Sequence, residues 1–101
     1  MARSVLLADE ASNGTGGTVA WDGGEGILHG YGTWAGATVT LQYAPYGPIS
    51  GKNPTPSDTD VTVSETNTNQ AFSALPAGRV RAIIAGGGGT ESITVIMSRM
   101  K

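Results

Sequence analysis

The stretch Ala37-Thr38-Val39-Thr40-Leu41-Gln42-Tyr43 decides the fold class of this chain. In it, the apolar residues Val39, Leu41 and Tyr43 alternate with polar ones. Successive side chains of a β-strand point to opposite faces of a sheet, so an alternation with a period of two predicts a strand with one buried face.

The same alternation recurs along the chain and predicts about eight short strands. They cover residues 4–8, 18–21, 26–31, 37–43, 60–64, 69–73, 79–85 and 92–99. Gly or Pro interrupts the chain so often that we expect no substantial helix. Short strands with turn residues between them predict an all-β fold, an antiparallel β-sandwich of jelly-roll type.

Length and glycine content indicate a single domain over residues 1–101. The chain has 101 residues, of which 16 are Gly and 5 are Pro, and most glycines fall in turn clusters. We expect the run from Gly86 to Gly89 to form a hairpin connection. Residues 1–12 are expected to form an N-terminal contact arm or a strand. Residues 44–59 are predicted to form a long Pro-rich loop, a candidate contact loop because loops of this length are usually functional or mobile.

The charge balance and the hydropathy pattern exclude several classes of partner. Six Lys and Arg residues face eight Asp and Glu residues, giving a formal net charge of -2 and no basic patch for nucleic acid. No apolar run has the length of a secretory or membrane segment, so we expect synthesis in a cytoplasm and no membrane partner. The chain has no Cys, which excludes disulfides and thiolate metal sites.

Little in the sequence points to catalysis. His29 is the single histidine, which makes a histidine metal cage impossible and leaves only one base for a catalytic triad. The carboxylate pairs Asp58/Asp60 and Asp22/Glu25 lie beside turn residues, where turn capping is the more common role, with a calcium site as a minor alternative. We therefore predict a protein that is not an enzyme, with no catalytic residue, cofactor or metal.

Three aromatic residues leave two interpretations open. Trp21, Tyr31 and Trp34 would form a sugar-binding platform if they were exposed together on one sheet face, as in a carbohydrate-binding module with a glycan ligand. In the favoured interpretation, large aromatic side chains fill the small core or belong to a protein interface.

Two longer stretches carry a resemblance to a known family. They cover residues 32–43 and 72–82, and Gly-Gly-Gly-Gly-Thr and a terminal strand follow them. From about residue 30 to its end, the chain resembles small virion structural proteins of tailed bacteriophages, which include the capsid decoration or cement proteins. The resemblance implies a homotrimer on the outer surface of the phage head that binds the major capsid protein. A tail-associated or fibre-associated protein is the alternative.

Contact surfaces are predicted from apolar and basic residues at exposed positions. Apolar residues on the second faces of the last two strands would be a liability in a monomer, so we predict a subunit interface there. Its members are Arg81, Ile83 and Ile96. Capsid contacts are predicted in the N-terminal segment and in the Pro-rich loop, at Arg3, Val5, Leu7, Tyr46 and Lys52.

Overall fold

A computed structural model describes residues 4–11, 14–15, 18–45 and 55–99. These residues form only strands, turns and connections, so the described chain is all-β. Among them there is no helix of the length and hydropathy needed to cross a membrane. The strands are β1 (Ser4–Ala11), β2 (Gly14–Thr15), β3 (Val19–Trp21), β4 (Gly24–Thr33), β5 (Thr38–Ala44), β6 (Ser57–Ser64), β7 (Asn69–Leu75), β8 (Gly78–Ala85) and β9 (Ser92–Arg99).

The strands form two antiparallel sheets. Sheet A has the order β1-β9-β4-β7, and sheet B contains β8, β5 and β6 in that order. The short strands β2 and β3 both pair with the free side of β8. Each of the eight predicted strands overlaps an observed one. The strand β2 was not predicted, because Asn13 and Gly14 are typical turn residues.

The buried side chains of both sheets form one hydrophobic cluster. Alternation within the strands explains it. In β8 every second residue from Gly78 to Ile84 is buried, and the same spacing relates Val39 to Leu41 in β5. The largest fully buried side chains come from six strands of the two sheets: Trp21, Leu28, Val39, Leu41, Val63, Val80, Ile84, Ile93, Val95 and Met97.

Two predicted segment boundaries need correction. The predicted loop 44–59 is strand at both ends, since β5 extends to Ala44 and β6 begins at Ser57. Residues 46–54, its middle, lie outside the described residues. At the N-terminus, residues 4–11 form a strand paired with β9, with Ser4 opposite Ser98. This segment is therefore part of sheet A, and the alternative of a contact arm does not apply to it.

The glycine run after β8 is not a hairpin, because β8 lies in sheet B and β9 in sheet A. The connection crosses between the sheets and folds around Glu91, which is only 3% exposed. The backbone N–H of Gly89 donates a hydrogen bond of 2.9 Å to Glu91 Oε1. The hydroxyl of Thr90 donates one of 3.2 Å to the carbonyl oxygen of Gly87. A Cβ atom on Gly87 would lie 2.5 Å from the carboxyl carbon of Glu91, so only glycine fits there without a shift.

A bulge in β6 sets the register of its outward-facing residues. The pairing of β5 with β6 shifts between Thr40 and Gln42. There the hydroxyl of Thr59 donates a hydrogen bond of 2.8 Å to the carbonyl oxygen of Leu41 and accepts one of 3.1 Å from the N–H of Val61. The side chain thus takes the place of ladder bonds that the bulge removes, and Asp58 is brought opposite Gln42.

Candidate interaction surface

The described residues contain no cluster typical of a catalytic or metal centre. No group of three or more metal-ligating side chains lies together among them. His29 Nδ1 is hydrogen-bonded to the side-chain oxygen of Asn69, and Asp58 accepts a hydrogen bond of 2.7 Å from the amide of Gln42. These groups have structural partners, so the outer faces of the two sheets become the candidate sites.

An open depression at one end of sheet B is too small to change this conclusion. Its volume is about 240 Å³, and six short residues line it: Gly36, Ala37, Thr38, Ser64, Glu65 and Thr66. Pockets that bind small organic ligands usually have about 300–1,000 Å³ and aromatic or aliphatic walls. This depression has no aromatic wall.

The face of sheet A opposite the core carries a continuous row of side chains across all four strands. Leu6 of β1 lies opposite Ile96 of β9, Ile96 lies opposite His29 of β4, and His29 lies opposite Asn69 of β7. Ile27 and Tyr31 flank His29 two positions away on β4. We call Leu6, Ile27, His29, Tyr31, Asn69 and Ile96 the sheet A face.

The sheet A face holds the most exposed large hydrophobic side chains of the described chain. Leu6 is 51% exposed and Tyr31 is 50% exposed. The other large hydrophobic side chains of this face are less exposed than these two. The residues opposite Ile27 and Tyr31 are Ala71, Ser98 and Thr94, all uncharged. The ring of Tyr31 lies 5.6 Å from that of His29, centre to centre. The centre of the sheet A face is therefore largely apolar, with an exposed aromatic ring beside His29.

The face of sheet B opposite the core is polar. Arg81 Nε donates a hydrogen bond of 2.7 Å to the side-chain oxygen of Gln42. The Gln42 amide in turn donates to Asp58, so a guanidinium, an amide and a carboxylate form a chain across three strands. In the next row, Ile83 lies opposite Thr40 and Thr15. Because the charges of this row are already paired with each other, they are poor anchors for a partner.

The three residues predicted for one subunit interface do not form one patch. Arg81 and Ile83 project from the outer face of sheet B, whereas Ile96 belongs to the sheet A face. The prediction placed them together because their strands are consecutive in sequence. It is wrong on this point because β8 and β9 lie in different sheets.

The predicted capsid contacts have mixed outcomes. Leu7 is 3% exposed and belongs to the core, so its side chain is not available to a partner. Val5 lies in β1 opposite Met97, and its side chain is outside the described part of the chain. Arg3, Tyr46 and Lys52 lie outside the described residues.

The sugar platform of three aromatic residues does not form. Trp21 is 1% exposed and Trp34 is 7% exposed, which leaves Tyr31 as the exposed member. The indole N–H of Trp21 donates a hydrogen bond of 3.2 Å to the carbonyl oxygen of Leu75, and its ring meets Phe72 edge to face at 5.6 Å. Trp34 packs against Gly30, where a Cβ atom would lie 2.7 Å from its ring. The core interpretation of both tryptophans is confirmed.

Leu6, Ile27 and Asn69 are the members of the sheet A face that sequence reasoning did not name. In the apolar run from Val5 to Ala8, alternation cannot show which of two adjacent leucines points outward. The pairing of Leu6 with Ile96 would have shown it, but a strand register between the two ends of the chain is not visible in one sequence.

Comparison of the chain with protein-family models, with curated proteins and with solved structures gives no match. Its function is therefore inferred from the strand order and the two outer faces.

Proposed function

We propose that this chain is a non-enzymatic structural protein of a tailed-phage virion. In this proposal it is a decoration protein that binds the outer surface of the head, contacts the major capsid protein and forms trimers. The observation that carries the proposal is the order in which the strands pair.

The strands pair from the two ends of the chain inward. β1 pairs with β9. β2 and β3 lie one after the other along β8, like one interrupted strand. β4 pairs with β7, and β5 pairs with β6. A long hairpin with these four pairs, in which alternate pairs enter different sheets, supports a jelly-roll sandwich. Jelly rolls are common in viral capsid proteins and in lectins. The nested pairing therefore supports a coat or lectin role.

Burial separates the coat role from the lectin role. A sugar-binding face needs exposed aromatic rings, but Trp21 and Trp34 are both in the core. A largely apolar face suits contacts between proteins, because interface cores are depleted in charge and enriched in aromatic residues. Many weak identical contacts on a lattice then add up to firm attachment. Together with the resemblance of residues 30–101, these features favour the coat.

The experiment that tests the proposal counts copies of the chain in particles purified from the phage that encodes it. We expect hundreds of copies per particle by quantitative mass spectrometry, released from the head and not from separated tails. Recombinant chain should bind again to heads from which it has been removed, and heat-denatured chain serves as the control. A few copies per particle, found with the tail fraction, would support the tail alternative. Absence from the particle would rule out both.

A further inference from the structure

We propose that the sheet A face is the surface on which a second copy of this chain docks. The inference rests on the oligomeric part of the proposed function and goes beyond it by assigning one face. It also replaces the sequence-based interface, whose members lie in different sheets.

The charge distribution favours a second copy on this face. Each copy has a formal net charge of -2, so two copies repel each other wherever their acidic residues meet. Among the acids in the sheets, Asp58 and Asp60 lie in β6 and Glu25 lies near the start of β4. Asp9 and Glu10 lie in β1, between the residues that pair with Val95 and Ile93. Asp9 and Glu10 are at the β1 end of the row of Tyr31 and Thr94, whereas no acid lies in the rows of Ile27 and His29. A second copy can therefore dock there without burying an unpaired charge, which is costly.

The area of the face fits a reversible contact between copies. Sheet A has four strands, and β1 and β9 are each 8 residues long. At about 3.3 Å per residue and about 4.8 Å between strands, the face measures about 26 by 19 Å, or roughly 500 Å². A copy seated on it buries a similar area of its own. The total of roughly 1,000 Å² is at the lower limit of specific interfaces, so we expect a dissociation constant in the micromolar range or weaker.

The central side chains of the face are held in place before docking. His29 is fixed by its hydrogen bond to Asn69, and its ring contacts that of Tyr31 at 5.6 Å. Side chains that are already ordered lose little conformational entropy when a partner covers them. Tyr31 can therefore anchor a contact although half of its surface is exposed in one copy.

Docking through the edges of sheet A is less favourable than docking on its face. At the β7 edge, the Gln70 amide donates a hydrogen bond of 3.1 Å to the carbonyl oxygen of Ala71, and Asn67 holds Gln70 from the other side at 3.3 Å. At the opposite edge, β1 has two register shifts along its pairing with β9. The side-chain hydrogen bonds at β7 and the register shifts in β1 both hinder the pairing of another strand with these edges.

The test compares acidic substitutions on the two outer faces. Sedimentation equilibrium of the purified chain from about 10 µM to about 1 mM should show association of the wild type. Leu6→Asp and Tyr31→Asp should each weaken association roughly 30-fold or more, because each buries a charge in the contact. The matched control is Ile83→Asp, the same kind of change on sheet B, which should associate like the wild type.

Three results would overturn the inference: a wild-type chain that stays monomeric at about 1 mM, sheet A variants that associate normally, or dissociation caused by Ile83→Asp alone. Circular dichroism melting checks that each variant is folded, and Leu6→Ser is the milder variant if an aspartate prevents folding. Binding to phage heads is measured separately. A monomer that binds heads contradicts this inference only, and an associating chain that never binds heads contradicts the proposed function only.

Discussion

Leu6 and Leu7 are neighbours of identical chemistry with opposite environments. Leu7 belongs to the core cluster, whereas the side chain of Leu6 lies on the sheet A face. The sequence places both in one apolar run, and alternation predicts that one is buried without showing which. The choice of Leu7 as a contact residue was wrong because β1 enters sheet A in the register that turns Leu7 inward.

The two leucines should differ sharply when they are shortened. Leu7→Ala leaves a cavity in the core and is expected to lower the free energy of unfolding by about 2–4 kcal/mol. Leu6→Ala shortens a side chain that is 51% exposed, so it should lower the free energy of unfolding by about 1 kcal/mol or less. Urea denaturation of the two variants and the wild type measures both values. Equal losses for the two variants would show that the register of β1 is different in solution.

The crossover between β8 and β9 is the element in which the sequence was most misleading. Four consecutive glycines predict a flexible turn, and the hairpin was the simplest connection between consecutive strands. The fixed form of the crossover depends on Glu91, whose buried carboxylate accepts the N–H of Gly89 and lies against Gly87. That contact is formed by tertiary packing, which turn propensities do not contain.

A double-mutant cycle should reveal this contact. Gly87 does not have a positive φ, so Gly87→Ala places no strain on the backbone, and its cost comes from the clash with Glu91. We expect Gly87→Ala to lower the free energy of unfolding by about 1–3 kcal/mol. In the Glu91→Ala background, used as the control, the same change should cost far less. Additive losses in the cycle would contradict the packing of Glu91 over Gly87.

Strand positions could be predicted from the sequence, whereas their partners could not. A period of two is a local property, so it located all eight strands from β1 to β9 apart from β2. Pairing joins residues far apart in the chain, such as Ser4 and Ser98, and no local pattern records it. The bulge at Thr59 was also hidden, because it depends on which strand lies beside β6.

At the scale of the whole molecule, the candidate site follows from which sheet each strand joins. Sequence reasoning correctly identified Ile83 and Ile96 as apolar residues on second faces, since both alternate with buried neighbours. It could not show that the two residues lie in different sheets. Tyr31 was named only together with two tryptophans that turned out to be buried. The sheet A face became visible only when four strands were placed side by side.

The whole fold should depend on β1, although it is at the N-terminus. Deleting residues 1–11 removes Leu7 from the core and exposes the full edge of β9. We expect this variant to lose the cooperative thermal transition that circular dichroism detects in the full chain. A chain lacking residues 1–3 keeps all of β1 and serves as the control. If the chain lacking residues 1–11 melted like the wild type, β1 would be a dispensable arm.

The pairing of the first strand with the last has a consequence for synthesis. Of the described strands, β1 leaves the ribosome first, whereas its partner β9 is translated last. Sheet A therefore cannot close on the nascent chain until translation has passed residue 99. A chain that stops early keeps Leu7 and the core positions of β4 exposed to chaperones and proteases. We expect such shortened translation products to be degraded, because they cannot complete sheet A.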